Sequence, residues 1–487
     1  MSTRKVLSVG SATTLLGGAA GTLALAISAS PASAVGTTFT VDTLADGAPN
    51  AADCITPVPG SCSLRDALDA VSDGDSIVVA SGLTGTITLT TGTELYIADS
   101  ITLTGPGASL LTIDATGNGS RVFYMCGETE ISGVTITGGS ASRGGGLYQE
   151  CGDPVTLRNV VVTGNSANTG GAFKGSDLIL IDSEISNNTA AYQGGGVDVD
   201  KLTMSGSTIR DNSANGAGGG VYAASDISIS TSTIAGNAAG GCGGGLYSSV
   251  SSGTVVIQDS LFEGNSSTQC YGGAIDIDGN YNDVTIANTT IVGNSARTGG
   301  GVHVDHSNTL HLFMSTVSGN AALSNDAYYS GGGIHVSEAY PGIAVTMDIV
   351  GSIVSGNTAV AGPADIGFAN YSALGPASLM ANSSILGDLD AKFVVVGADN
   401  ITTTSPGLAA LANNGGATRT MALLPTSPAI DAGPATVPTF PLNANDQRGA
   451  GFARVVGTRA DIGAFEVQAP PTPPTTAPGP VVPAFTG

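Results

Sequence analysis

Tryptophan is absent, histidine occurs four times, aromatics make up 5% of residues, and only 11% are charged. Lysine and arginine number 15 against 38 acidic residues, a formal net charge of −23. Such a surface repels polyanions, so nucleic acid is excluded as a partner. Long apolar runs are missing beyond the first 34 residues, so no later segment is expected to span a membrane. In that first stretch, Arg4 and Lys5 precede an apolar run reaching Ile27, followed by Ala32-Ser33-Ala34. This is the pattern of a secretory signal over 1–34 with an A-x-A cleavage site. Its removal takes two basic residues and no acidic one, leaving 13 against 38, a net charge of −25. The mature chain is then expected from Val35, secreted and extracellular or held at the cell surface. Six cysteines in an exported chain imply disulfides.

Glycine, by contrast, is abundant at 72 of 487 residues, and 41% of the chain is hydrophobic. Glycine with little charge can mean disorder, but here Val, Ile and Thr recur periodically, which favours strands. The motif [IVF]-x-x-N occurs eight times, with Asn at 165, 188, 212, 237, 265, 294, 320 and 357. A period of this size signals stacked units. Ten and eight residues before each Asn the chain is apolar throughout, as at Ile227 and Ile229 before Asn237. Three before it stands Val, Ile or Phe, and this alternation marks strands with one buried face. Five before it, seven units carry Ser or Thr and one carries Val160. Stacked hydroxyls can bond from rung to rung, and stacked Asn amides can form a ladder. The Asn is expected at a corner in the left-handed backbone region. A glycine pair or triple follows each of the first seven Asn, so Gly299 to Gly301 in "TGGGVHVDHS" mark a corner and not a phosphate loop. The fold expected is all-β, a parallel β-helix; fixed columns argue against a β-sandwich.

The same register pairs the cysteines. Cys242 and Cys270 each lie five after an Asn on adjacent rungs, Cys126 and Cys151 are 25 apart, and Cys54 and Cys62 are local neighbours, which predicts three bridges. Leu64, Ala67, Leu68 and Val71 follow Ser63 at helical spacing, so a short helix is expected to cap the first rung, with Arg65 and Asp66 as an ion pair.

The residue two past each glycine corner is expected to face outward: Tyr148, Lys174, Asp198, Tyr222, Tyr247, Asp276, His303 and His335. A second outward column contains Asp278, Asp305 and Ser337. Tyr222 and Tyr247 suit stacking on sugar rings. Asp276, Asp278, His303, Asp305 and His335 are the candidate catalytic patch, and the longest inserts, Asn320 to Gly333 and Gly333 to Met347, lie beside it, as the walls of a groove would. Two carboxylates can hydrolyse a glycosidic bond, whereas a lyase needs a basic residue that the patch lacks. In "DIDGNYND", Asp276, Asp278, Asn280, Asn282 and Asp283 supply oxygens at a spacing suited to calcium, with a polar turn as the alternative.

The segment "CSLRDA", Cys62 to Ala67, resembles the CSLREA domain of secreted bacterial β-helix proteins. "SPAIDAG", "DQRG" and "DIGAFE", between Ser427 and Glu466, resemble the closing module of the choice-of-anchor Q family, and "FEGN" with "GGAI" is similar to repeats of polymorphic outer-membrane proteins. These resemblances imply a right-handed, pectate-lyase-like solenoid: an N-terminal cap and first rungs over 35–115, repeats over 116–400, a closing module over 401–468, and a Pro/Thr-rich tail over 469–487. Asp431, Asp446, Arg448, Asp461 and Glu466 of that module are expected to tie it to the last rung. The tail's "VPAFTG" is similar to a sortase signal with an extra residue. The function expected is an adhesive or carbohydrate-binding rod without catalysis, acting as a monomer on a polysaccharide or a host or cell-surface glycan. A polysaccharide hydrolase or lyase on the Asp/His face is the alternative.

Overall fold

The computed structural model describes residues 36–249, 253–279, 283–305, 308–338, 346–370, 377–438 and 444–468. The signal over 1–34, Asn280, Asn282, His306 and the tail over 469–487 lie outside them. From Thr38 onward the chain coils through three stacked sheets of 23, 13 and 9 strands, called here the first, second and third. One coil shows the plan. Ile227–Ser230 lies in the first sheet, Thr233–Ala235 in the second and Ala238–Ala239 in the third; after Gly243 to Gly245, Leu246–Ser248 returns to the first. The next coil repeats this in parallel register, Ile227 beside Val255, Ile234 beside Phe262, Ala239 beside Ser267 and Leu246 beside Ile275. The three apolar columns counted from the Asn therefore share one interior, and none of their residues is more than 1% exposed.

Each coil turns at three left-handed residues. One precedes the Ser/Thr column, as at Thr231 and Asp259, and one is the first glycine of each cluster, as at Gly243. The third is the residue before the Asn, as at Gly236 or Asn187, and not the Asn itself, as expected from the sequence. The Asn is displaced from that role because its side chain is turned inward. Asn237 Nδ2 donates to Asn265 Oδ1 at 2.9 Å and to Ile209 O at 3.0 Å, while its own Oδ1 accepts from both Nδ2 and the backbone N–H of Asn212, each at 3.0 Å. The ladder runs without a break from Asn165 to Asn357, then ends on Asp365, whose Oδ1 accepts from Asn357 Nδ2 at 2.8 Å. The hydroxyl column forms a second ladder, in which each backbone N–H donates to the next rung's hydroxyl, from Val160 onto Ser183 through Ser352 onto Ser384.

The predicted bridges Cys54–Cys62, Cys126–Cys151 and Cys242–Cys270 are all present. The N-terminal end of the interior is closed by α1 (Ala52–Ile55) and α2 (Leu64–Ala70). Ser63 and Asp66 form a reciprocal capping box on α2. Arg65 does not pair with Asp66, because that carboxylate is taken by the cap. It reaches Asp46 at 2.7 Å and the Glu94 carbonyl at 2.8 Å. No helix among the described residues is long and apolar enough to cross a membrane.

The C-terminal segment departs from expectation, lying against the outer side of the second sheet over several rungs. Thr418 Oγ1 donates to Asp259 O (3.3 Å), Asn288 Nδ2 to Asn445 O (3.1 Å) and Ala464 N to Thr316 Oγ1 (3.0 Å). Ile353 and Ile385 from the sheet share a small apolar cluster with Ala429 and Ile462. The charged residues mostly bind one another. Arg448 clasps Asp446 at 2.6 Å, Arg454 meets Glu466 at 3.4 Å and Asn288 at 3.3 Å, and Asp461 accepts from the Asp431 N–H at 2.7 Å. The motifs carry these charges, but nothing local in them says which sheet face is apolar enough to receive them.

Asn237→Ala strands the buried backbone N–H and amide N–H of Asn212, at roughly 1–3 kcal/mol for each unpaired group. The denaturation midpoint of this variant should fall with little change in the denaturant slope. A second prediction concerns Glu466, whose carboxyl is pushed up from 4.5 to about 7, by burial first, with Asp461 adding to the effect. The folded state thus holds this proton more tightly than the unfolded chain. The resulting stabilisation is complete below about 4.5 and lost as pH rises through 7. Melting curves from pH 5 to 8 should show this loss in the native protein and a flatter profile in Glu466→Gln.

Candidate functional site

A single column runs along the outer face of the first sheet, each residue beside the next: Tyr96, Tyr124, Tyr148, Lys174, Asp198, Tyr222, Tyr247, Asp276, His303, His335 and finally Gly367. Outward direction follows from alternation. His303, for example, sits between Val302 and Val304, which are buried in the interior.

At the N-terminal end the column is aromatic. Tyr96 and Tyr124 have ring centroids 5.5 Å apart, and Tyr124 and Tyr148 are 5.6 Å apart. The Arg121 guanidinium stands 4.8 Å from the Tyr148 ring and 5.4 Å from Tyr124, within cation–π range. Tyr96 remains 54% exposed. It and Tyr124 line a cleft of ≈ 440 Å³ whose other wall includes Pro49, Leu68, Asp69 and Glu94 from the capping region. Counting from the first [IVF]-x-x-N motif misses Tyr96, Tyr124 and Arg121, because the motif begins only at Asn165; the rung-sized spacing of Tyr96, Tyr124 and Tyr148 was the available signal.

The middle of the column is tied down. Lys174 Nζ is 2.9 Å from the buried Asp198 carboxylate. Tyr222 and Tyr247 stack at 5.2 Å, as their columnar spacing suggested. Tyr222 Oη accepts from Ser249 Oγ at 3.2 Å, and Tyr247 Oη donates to Asp278 at 2.7 Å. Burial, followed by this bond to a carboxylate, pushes the Tyr247 phenol up and keeps it protonated.

The C-terminal end differs from the expected open patch. Asp276, His303 and His335 point away from the interior, yet each is only 1% exposed. A roof accounts for this: the Tyr271 ring lies 4.5 Å from His303, Tyr329 stacks on Tyr271 at 6.2 Å, and Arg297 sits 4.4 Å over Tyr329. Tyr329 comes from the long insert after Asn320, which forms a short 3₁₀ turn, Ala327–Tyr329, capped by Asp326. The insert therefore covers part of the column and does not simply wall a groove. Beneath it, His303 Nδ1 is 2.6 Å from Asp276 Oδ1, His303 Nε2 is 2.8 Å from Ser337 Oγ, and the His335 ring stacks on His303 at 5.7 Å. Burial disfavours charge on His303, but contact with Asp276, with Asp305 and Asp278 nearby, outweighs it and raises the pKa. Burial and the neighbouring His303 hold His335 well below the usual imidazole range. Burial pushes Asp276 up against the pull of His303.

Asp278 and Asp305 are half-buried in the second outward column. Of the calcium residues, Asn280 and Asn282 lie outside the described residues, Asp276 faces His303, and Asp283 is exposed 3.5 Å from His311. Among the described residues no three His, Cys, Asp or Glu side chains converge on a metal position. Ser337 and Tyr271 carried no sequence signal as partners of His303, because their approach depends on rung register and on the path of the inserts.

Residues 198–359 match the family model described as right handed beta helix region. The solenoid is a right-handed parallel β-helix. The crystal structure of pectate lyase Pel9A is similar at 16% identity, covering 89% of this chain and 97% of that one, with a TM-score of 0.41. That likeness carries no argument about activity. No curated protein matches the sequence at a significant level.

Imidazole resonances followed by NMR against pH should place His303 above the ordinary value and His335 well below it. Asp276→Asn should bring His303 down. For His335 the folded pKa lies below the unfolded 6.5, so its contribution to stability is present above 6.5 and lost as pH falls toward the folded value. His335→Gln should reduce that acid-side loss in melting curves.

Proposed function

We propose that the protein is an exported glycan-binding rod that holds a polysaccharide along the outer face of the first sheet. The observation that carries this reading is the aromatic column, with Tyr96, Tyr124 and Tyr148 at rung spacing beside an open cleft and Tyr222 with Tyr247 farther along. A tyrosine presents an apolar ring to the C–H face of a sugar and a polar tip to its hydroxyls. The parallel rungs repeat that offer at a constant pitch, which suits a polymer better than a compact ligand.

The acidic balance of the chain, with Asp69 and Glu94 at the cleft, favours neutral or amine-bearing sugars over uronates. Export is supported by the signal-like first 34 residues and by three disulfides, which persist in oxidising compartments. Display at a surface, as an adhesin, and action as a monomer belong to this same reading.

Titration calorimetry of the mature chain with a neutral glucan, a galactan, chitosan and polygalacturonate should show binding to one of the first three and weaker binding to the last. Loss of one stacking ring removes about 1 kcal/mol beyond area burial, so Tyr124→Ala and Tyr222→Ala should each weaken affinity five- to tenfold. Binding unchanged in both variants, or none to any of the four polymers, would count against the proposal.

A further inference from the structure

We propose that Asp276, His303 and Ser337 form a hydrolytic charge-relay site that transfers a small acyl group from an oxygen ester to water. This does not rest on the glycan reading. A serine hydroxyl is a weak nucleophile unless a base lies within hydrogen-bond reach, and an imidazole serves best when a carboxylate orients it through its other nitrogen. Those are the contacts seen here: Ser337 Oγ is 2.8 Å from His303 Nε2, and His303 Nδ1 is 2.6 Å from Asp276 Oδ1.

The solenoid explains the placement. Asp276 and His303 are register partners on adjacent rungs. Ser337 belongs to the rung after that, two residues beyond His335, the register partner of His303, so it approaches His303 diagonally. Because successive strands fix all three positions, the order along the chain, Asp then His then Ser, follows from stacking alone.

A second observation concerns unfilled polar capacity beside the trio. Ser330 Oγ is buried and has no hydrogen-bond partner among the described residues, while the buried His335 ring bonds to the Ser330 backbone. Ser330 Oγ and His335 Nδ1 both pack against Gly367, where an added Cβ would lie 2.6 Å from Ser330 Oγ, 2.8 Å from Gly331 N and 2.9 Å from His335 Nδ1, so only glycine fits at this position. A buried polar group without a partner is costly, so a polar substrate atom that bonded to it would gain most. The roof of Tyr271 and Tyr329, and a Ser337 only 5% exposed, restrict the acyl group to a short one such as acetyl.

In the first step Ser337 Oγ bonds to the carbonyl carbon while its proton passes to His303 Nε2, and Asp276 stabilises the imidazolium. As the tetrahedral adduct collapses, the ester C–O bond breaks and His303 returns the proton to the leaving alkoxide, releasing an alcohol and leaving Ser337 acylated. Water then adds to the acyl carbon with its proton taken by His303, and the proton is passed to Ser337 Oγ as the carboxylic acid departs. No oxidant, metal or cofactor enters this balance. His303 must be neutral to begin. It faces Asp276, Asp278 and Asp305 on the acidic side, with His335 stacked on it, the Tyr271 ring over it, and Lys392 toward His335. The rate should therefore rise with pH along one titration set above the ordinary imidazole value.

The test is hydrolysis of p-nitrophenyl acetate by the full mature chain, together with labelling by a fluorophosphonate and peptide mass mapping of the adduct. The label is expected on Ser337, and Ser337→Ala, His303→Asn and Asp276→Asn are each expected to lower the acetate rate about 10²- to 10⁴-fold. Glycan binding by calorimetry in Ser337→Ala is expected to match the native protein, which separates this site from the tyrosine column. Native protein that takes no label at Ser337 overturns the proposal, whether or not the variants fold. So does a well-folded Ser337→Ala that hydrolyses the acetate at the native rate, which would leave the trio as a buried structural network.

Discussion

A buried asparagine that donates to the amide above it and accepts from the amide below can do so only if every coil returns to the same place. Asn237 fills all its hydrogen-bonding capacity in this way, and the ladder continues from Asn165 to Asn357. The rest of the rod depends on this constraint. The Asn always comes five positions after the Ser/Thr column, because one residue more would rotate a hydroxyl out of its ladder and strand a buried N–H. Length varies instead where no ladder passes: between Ser248 and Thr254 and their counterparts, and after Ala322. One set of insertions interrupts the first sheet and the other joins the third sheet to it, and the outer column is left between them.

Stacking converts a sequence period into a row of like-placed side chains. Tyr96, Tyr124 and Tyr148 lie far apart in the chain and adjacent in space, as do Asp276 and His303. One mechanism therefore yields two environments. Toward the N-terminus the column is open and aromatic. Toward the C-terminus the insert after Asn320 carries Tyr329 across it, and the same outward positions become a buried polar site in which His303 and His335 are pushed to opposite sides of the usual imidazole pKa. Burial accounts for the depressed His335. The carboxylate in contact accounts for the raised His303, since an opposite charge at hydrogen-bond distance in a poorly solvated setting outweighs the desolvation cost.

The two ends of the chain were legible to different degrees. The capping box of Ser63 and Asp66 depends on residues three apart, so local sequence suffices for it, whereas the Arg65 partner, Asp46, comes from a separate segment. The motifs of the C-terminal module were visible, and their charges do pair with one another. Their docking against Asn288, Thr290, Thr316 and Ile353 was not, because it depends on which outward residues of the second sheet are apolar or hydrogen-bonding at that height along the rod.

By itself the sequence determined the period, the three buried columns, the two ladders, the cysteine pairing and, from Tyr148 onward, which residues point outward on the first sheet. All of these follow from spacing, because parallel stacking preserves register from rung to rung and a strand alternates its faces. Tertiary structure alone decided whether an outward residue meets solvent or a roof. It placed Tyr271 and Tyr329 over His303, brought Ser337 diagonally to its second nitrogen, and laid the C-terminal segment on the second sheet. Those outcomes depend on the paths of segments whose lengths the ladders do not constrain, and a repeat pattern carries no information about where an unconstrained segment comes to rest.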